Sequence, residues 1–208
     1  QLDWEEADIH NTNLANVADK LRELEFQSLV KRLPKHMQSL PEAGALYFEL
    51  EHQAAVREVA WPDELHIDGP VVLSLKENIL WISLDNKSVH KKQISEIDAS
   101  VWKLLALATV ISYDTKQLYH ELAAKGVKVR FASLHDVRQA AFLIDPLRRD
   151  RSLAALVGDE IDSVESEISG LWQVYAWQRE ALTHIPSVEN IAQEFDFPVI
   201  YSLFEMES

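Results

Sequence analysis

The sequence contains no cysteine among its 208 residues. Disulfide bridges, thiolate metal sites and a cysteine nucleophile are therefore excluded, which agrees with a reducing compartment, and we expect a cytoplasmic protein. The eight histidines form neither an HxH nor an HExxH pattern. We therefore expect no zinc site. A glycine-rich phosphate loop and a GxSxG nucleophile motif are missing as well.

Long apolar runs are missing too. No stretch reaches the eighteen or so apolar residues that a membrane helix needs, and residues 1–20 lack the basic start and apolar centre of a secretion signal. We expect no membrane association. The chain opens with Gln1 rather than Met. We take this to indicate a piece of a longer protein.

Positive charge is scarce. Twenty Lys and Arg stand against 34 Asp and Glu, so the formal net charge is −14. Phosphate contacts dominate nucleic-acid affinity and need clustered basic side chains, so this balance argues against tight DNA binding by the chain alone. A basic neighbouring domain would have to supply the contacts with DNA. The alternative is that the acidic side chains only keep the protein soluble.

The chain begins with a helical pattern. Asn13 can cap a helix over residues 13–33, which Pro34 ends. Proline and glycine in the segment 33–44 are typical of a linker. We therefore predict an N-terminal helical linker over residues 1–42 and a domain over residues 43–187.

Within that domain the pattern changes to short strands. Three adjacent strands, joined as a meander, are predicted at residues 45–51, 71–75 and 79–84. Further along, a helix that Ser100 can cap precedes a buried strand at 109–113, and a half-exposed strand is predicted at 127–131.

Helices fill the rest of the chain. One runs from Thr115 to Lys125 and ends at Gly126, another begins at Asp136, and the remainder is helical from Ser152 to Glu207. Strands followed by alternating helices and strands predict an α/β fold with a mixed sheet, as in ribonuclease-H-like proteins.

Two glutamates stand out in the first predicted strand. Glu49 and Glu51 are two residues apart, so their side chains leave the same face of the strand. A pair of carboxylates in one small volume is what a divalent-metal nuclease needs. The alternative is an ordinary solvated strand face.

Asp114 follows the predicted strand 109–113. A carboxylate at such a strand end is in the usual place for an active-site residue in α/β folds, where it can join the glutamates. Equally, Asp114 can simply cap the helix that starts at Thr115.

The order of these pieces resembles the middle of family A DNA polymerases, the bacterial DNA polymerase I group. The resemblance rests on Tyr113-Asp114, Lys125-Gly126-Val127, His135-Asp136 and the helix end at Asp145-Pro146. At the edges, residues 21–33 are similar to the segment that joins the 5′ nuclease to the 3′-to-5′ exonuclease domain. Residues 191–207 are similar to the helix that opens the polymerase domain. The resemblance thus implies a third unit, residues 188–208, leading into a polymerase domain.

The resemblance also implies a set of site residues. Active proofreading members carry Asp-x-Glu, a Tyr-Asp pair and Tyr-x-x-x-Asp. Here Glu49 and Glu51 occupy the first motif, Asp114 matches the second, and Tyr175 with Arg179 is the best alignment of the third. Arginine in place of the last carboxylate would repel a metal ion. A different alignment of the third motif remains open, because residues 158–170 contain four acids: Asp159, Asp162, Glu165 and Glu167.

Glu49 in place of the first Asp and Arg179 in place of the last one predict a degenerate 3′-to-5′ exonuclease-like domain that acts as a structural scaffold. We expect no functional catalytic residue, no metal and no cofactor in this chain, with Mg²⁺ serving the parent polymerase. The expected partners are the polymerase and 5′ nuclease domains of the same parent chain, with DNA reached through the parent enzyme, in a monomer. The alternatives are an active two-metal proofreading exonuclease and an acidic domain that binds a protein partner.

Overall fold

The computed structural model describes residues 56–208, which lie in one compact unit. The predicted helix at 13–33, the predicted strand at 45–51, and Glu49 and Glu51 lie outside the described residues. The strands are β1 (Arg57–Val59), β2 (Val71–Lys76), β3 (Ile79–Ser83), β4 (Ser88–Gln93), β5 (Thr109–Ser112) and β6 (Ser133–Asp136). The helices are α1 (Ala99–Leu107), α2 (Thr115–Ala124), α3 (Val137–Ile144), α4 (Leu153–Val157), α5 (Val164–Thr183), α6 (Pro186–Ile191) and α7 (Phe197–Glu207).

The six strands form one mixed sheet in the order β1-β4-β3-β2-β5-β6. Strands β2, β3 and β4 form an antiparallel meander, with Ser74 opposite Trp81 and Trp81 opposite Lys91. Strand β5 runs parallel to both β2 and β6, and β1 runs parallel to β4. Two further strands therefore extend the meander on the β2 side, and this confirms the predicted α/β fold with a mixed sheet.

The third strand of the meander is β4, which the sequence pattern did not predict. Val89 is its only buried residue, and polar side chains fill the other positions of Ser88–Gln93. Asp85 fixes the turn before it, because its Oδ1 accepts hydrogen bonds from the backbone N–H groups of Lys87 and Ser88 at 2.9 and 2.7 Å. A strand so poor in apolar residues gives too weak an alternation to be recognised from the sequence.

The predicted strand at residues 127–131 was wrong. Its alternation is real, since Val127 and Val129 are partly buried and Phe131 is buried between exposed residues. The backbone does not join the sheet there. Instead the N–H of Phe131 donates to the hydroxyl of Tyr119 at 3.1 Å, and the strand proper starts two residues later at Ser133.

The sheet is covered on both faces. Alternate residues of β2 divide between two cores: Val71, Leu73 and Leu75 pack on one side and Val72 on the other. Helices α1, α2 and α7 contribute Leu105, Leu118, Leu122 and Phe197 to the first core. Helices α3, α4 and α5 contribute Val137, Leu153, Leu156, Leu171 and Val174 to the second.

Two predicted helix boundaries near the sheet match the structure and a third is displaced. Helix α2 ends as predicted: Gly126 adopts φ 79°, its N–H donates to Ala123 O, and the N–H of Val127 donates to Leu122 O. Helix α3 starts at Asp136 as predicted, whereas α1 starts two residues earlier than expected, after Asp98 rather than Ser100.

The C-terminal stretch is one helix with a wide turn in its middle. Between α6 and α7, residues Ala192–Asp196 form a π turn, in which the N–H of Phe197 donates to Ala192 O. Pro198 follows directly, and it has no N–H of its own to donate, so the turn widens where a regular bond cannot form. None of the helices in residues 56–208 combines the length and the apolar character needed to cross a membrane.

Candidate functional site

The carboxyl ends of β5 and β6 bring the predicted site residue Asp114 near a second carboxylate. Ser112, the last residue of β5, is in register with Asp136, the last residue of β6. Asp114 follows two residues after Ser112. The edge of the sheet therefore holds two acidic side chains, as expected of parallel neighbouring strands.

Asp114 has both carboxylate oxygens engaged by protein groups. Its Oδ1 accepts a hydrogen bond from the N–H of Gln117 at 3.0 Å, which makes Asp114 the N-cap of α2. Its Oδ2 accepts a hydrogen bond from the Arg138 guanidinium at 2.8 Å. The capping role that the sequence left open is confirmed, and the ion pair ties α2 to α3.

Asp136 starts two helices at once. It is buried, and its Oδ1 accepts from the N–H of Gln139 at 2.7 Å, which caps α3. Its Oδ2 accepts from the N–H of Thr115, the first residue of α2, at 2.6 Å. Burial raises the pKa of Asp136 to about 6, although these hydrogen bonds act to lower it. A buried carboxylate at two helix N-termini is held by unpaired N–H groups and by both helix dipoles.

Tyr113 links the same strand end to the segment after α3. Its hydroxyl donates to the carbonyl oxygen of Arg151 at 2.8 Å, and its own carbonyl oxygen accepts from the N–H of Arg138 at 3.1 Å. Burial raises the pKa of Tyr113 above its ordinary value. The Tyr-Asp pair identified in the sequence therefore holds two helices and one loop together.

Next to this edge lies a buried polar pair that the sequence interpretation missed. His135 is 2% exposed and Gln178 is 0% exposed. The two side chains contact each other through His135 Nε2 and Gln178 Oε1 at 2.8 Å, while Gln178 Nε2 donates to Val137 O at 2.8 Å. Because the amide oxygen of Gln178 accepts, the network assigns the imidazole proton to Nε2.

Burial determines the charge of this histidine. The apolar surroundings lower the pKa of His135 to about 4, although the hydrogen bond to Gln178 acts in the opposite direction. His135 is therefore neutral at physiological pH, and the pair joins α5 to the end of β6 without a net charge.

Tyr175 lies against His135 rather than at Asp114. The two rings meet edge to face with centroids 4.9 Å apart, and Phe197 contacts the imidazole on another side with centroids 5.2 Å apart. Tyr175 therefore completes an aromatic setting around a neutral imidazole.

Arg179 is exposed, and the neighbouring Gln178 faces the sheet in its place. One residue along a helix turns the side chain by about 100°, which separates the two positions. A signal for Gln178 was present in the sequence: it falls on the apolar stripe of Leu171, Val174 and Leu182, where a polar residue is unusual and needs a partner.

Glu167 is the acid of residues 158–170 that contacts the centre of the sheet. Its Oε1 accepts from the Ser74 hydroxyl at 2.8 Å, and its Oε2 pairs with Lys76 Nζ at 2.8 Å. Both partners belong to β2. Glu167 therefore fastens α5 to the central strand.

A site for divalent ions is not present in the part of the chain that the structure describes. Within residues 56–208, no group of three or more His, Asp or Glu side chains is placed to hold a metal ion. The residues at the sheet edge fit helix capping and ion pairing, and they do not supply the several free carboxylates that two metal ions need.

Comparisons with known proteins place the fold. No protein-family model and no curated protein matches the sequence. Among solved structures, the chain is similar to the POL domain of Pol1 from M. smegmatis, which was solved in complex with a DNA primer-template and dNTP. The two share 20% sequence identity with a TM-score of 0.54, and the match covers 66% of this chain and 27% of that chain. The chain thus shares its fold with about a quarter of that polymerase chain.

Proposed function

We propose that this chain is the degenerate 3′-to-5′ exonuclease-like domain of a family A DNA polymerase and that it acts as a structural scaffold. One observation carries the proposal: the acids at the sheet edge, Asp114 and Asp136, use their oxygens to start helices. Carboxylates used in this way support folding, and the Arg138 guanidinium beside Asp114 and the burial of Asp136 oppose a metal ion there.

The topology supports the exonuclease-like part of the proposal. Strands β4-β3-β2-β5-β6 form an antiparallel meander followed by two parallel strands, which is the arrangement expected of a ribonuclease-H-like sheet. The fold shared with part of the Pol1 chain supports the polymerase context. So do the Tyr113-Asp114 and Asp145-Pro146 pairs, which carry the resemblance to the family.

The third motif supports loss of activity. Arg179 is exposed and Gln178, a neutral amide, occupies the adjacent buried position against His135. Neither side chain supplies negative charge to the sheet edge. A two-metal mechanism needs several carboxylates to neutralise its ions, and this position contributes none.

In this proposal the partners are the polymerase and 5′ nuclease domains of the same parent chain. Mg²⁺ serves the polymerase domain, and DNA is bound through the parent enzyme. The scaffold itself works as a monomeric unit.

A nuclease assay tests the proposal. A 3′-labelled single-stranded oligonucleotide is incubated with the chain in Mg²⁺ and, separately, in Mn²⁺, with an active proofreading exonuclease as the positive control. We expect the labelled strand to stay intact. Digestion that Asp114→Ala abolishes and the matched surface variant Asp63→Ala retains would overturn the proposal in favour of an active two-metal exonuclease.

A further inference from the structure

The last helical stretch carries apolar side chains on two sides. Ala192, Phe197 and Ile200 are buried in the core. Five other large apolar side chains are exposed to solvent, and we call them the outer stripe: Ile191, Phe195, Val199, Leu203 and Met206. Phe195 is 65% exposed and Met206 is 83% exposed.

The spacing of the outer stripe follows the helix. Its members are four, four, four and three residues apart, so they follow one side of the stretch from α6 to α7. Single exposed apolar residues are ordinary, but a continuous stripe of five is not. A helix that is apolar on opposite sides is typically buried on both of them.

A groove lies on another side of α7, about half a helical turn away from Val199, Leu203 and Met206. It lies between the end of α1, residues 130–134 and α7, and its walls include Pro198 and Tyr201. Leu107, at the end of α1, lines the groove and is 80% exposed. The groove is therefore a surface separate from the outer stripe.

The charged side chains of the last helical stretch itself are all of one sign. From residue 185 to residue 208 there is no Lys, Arg or His, and the five charged side chains are all acidic: Glu189, Glu194, Asp196, Glu205 and Glu207. Glu194 and Glu205 directly precede Phe195 and Met206 and are themselves exposed. Neighbouring elements supply basic groups at one end and on the groove side: Glu207 contacts Lys116 at 2.9 Å and His120 at 3.2 Å, and Arg130 lies over the Tyr201 ring.

From these observations we propose that the outer stripe forms a docking surface for a protein partner that is apolar at its centre and basic at its rim. An acidic rim attracts Lys and Arg side chains and repels acids, which sets the choice of partner. A second copy of this chain fits poorly, because it would bring two helical stretches of the same negative sign together.

This inference deepens the proposed function by locating the surface that a neighbouring domain, such as a polymerase domain, would cover. It names the chemistry of the partner and does not depend on the nuclease result. Failure of the docking surface and failure of the proposed inactivity are therefore seen in different experiments.

The test uses the whole chain and two synthetic probes. One is a labelled amphipathic helical peptide with Leu on one face and Lys on the other, and the second carries Glu in place of Lys. Fluorescence anisotropy measures binding. We expect saturable binding of the Leu/Lys peptide, none of the Leu/Glu peptide, and at least about tenfold weaker binding by the triple variant Phe195→Gln, Leu203→Gln, Met206→Gln.

The matched control is the double variant Val59→Gln, Leu147→Gln. It removes exposed apolar side chains elsewhere at the same net charge, and it should bind like the parent chain. Circular dichroism confirms that the variants keep their helices. Equal binding by the triple variant would show that charge alone holds the peptide, and absence of binding would overturn the surface outright. A dimer that the triple variant dissolves would assign the surface to a second copy.

Discussion

His135 shows how one buried residue makes the stability of the protein depend on pH. Its pKa is lowered to about 4 in the folded state, from an ordinary value near 6.5. Between these values the unfolded chain binds a proton that the folded chain does not. Stability from this residue is therefore complete above pH 6.5 and is lost as the pH falls toward 4.

We predict that replacing His135 with Gln removes this dependence. The difference in unfolding free energy between the parent chain and His135→Gln should shrink by about 3 kcal/mol between pH 7 and pH 4, as 2.5 pKa units imply. Urea denaturation across this range, followed by circular dichroism, gives the measurement. A gap that stays constant with pH would contradict the prediction.

Asp136 titrates in the same pH range, but its effect on stability has the opposite sign. The parent chain must therefore be compared with the His135 variant. Its pKa is raised to about 6, so the folded chain takes up a proton before the unfolded chain does, and stability rises as the pH falls from about 6 to 3.8. In the parent chain alone the two effects largely cancel. The variant difference isolates His135 because Asp136 is present in both proteins.

At this scale the sequence identified some residues and not others. It identified Asp114 and left its two roles open, because capping and metal binding require the same carboxylate in the same place. It did not identify the His135–Gln178 pair, because the partners are 43 residues apart and a pair at that distance leaves no local pattern. It placed Arg179 at the site, one helix position away from the side chain that faces inward.

At the scale of elements, the helix starts depend on very few side chains. Asp136 holds the first residue of α2 and the third residue of α3, and Asp114 holds the third residue of α2. We predict that Asp136→Ala destabilises the protein by about 3 kcal/mol or more, because two N–H groups lose their acceptor in a buried place. Asp114→Ala should cost about 1 kcal/mol, as loss of a partly exposed cap does.

Thermal or urea unfolding of the two variants at pH 7 gives the comparison. Asp114→Asn serves as the matched control, because asparagine also caps helices and should recover most of the loss. If Asp114→Ala proved as costly as Asp136→Ala, the assignment of Asp136 to two helices would be wrong.

The elements themselves were predictable where their residues repeat clearly. The run of apolar residues in β2 and β5 and the caps at Gly126 and Asp136 give strong local signals. Strand β4 was not predictable, since it gains its place by pairing with β3 rather than by its own apolar content. The π turn before Pro198 also gave no signal, because proline alone predicts an interruption and not its geometry.

At the scale of the whole molecule, the net charge of −14 limits what the chain can bind by itself. Contacts with phosphates need clustered Lys and Arg, and this chain has 20 of them against 34 acids. We predict no measurable binding of single-stranded DNA in about 150 mM salt at protein concentrations up to about 100 µM. Fluorescence anisotropy with a labelled oligonucleotide measures this.

A basic single-strand-binding protein, run beside the chain, shows that the assay detects binding. Tight and saturable binding by the chain would contradict the prediction. It would also require a local basic surface strong enough to outweigh the acidic charge of the whole molecule.

The double duty of Asp136 has a consequence for the history of such a domain. If an ancestor of this chain cut nucleic acids, its return to that activity is blocked by more than the missing acids. A substitution at Arg179 would add a carboxylate that faces water, and one at Gln178 would put it against His135. Freeing Asp136 would remove the anchor of two helices. Folding stability and renewed metal binding would then require the same side chain, so a lost nuclease activity would be hard to regain.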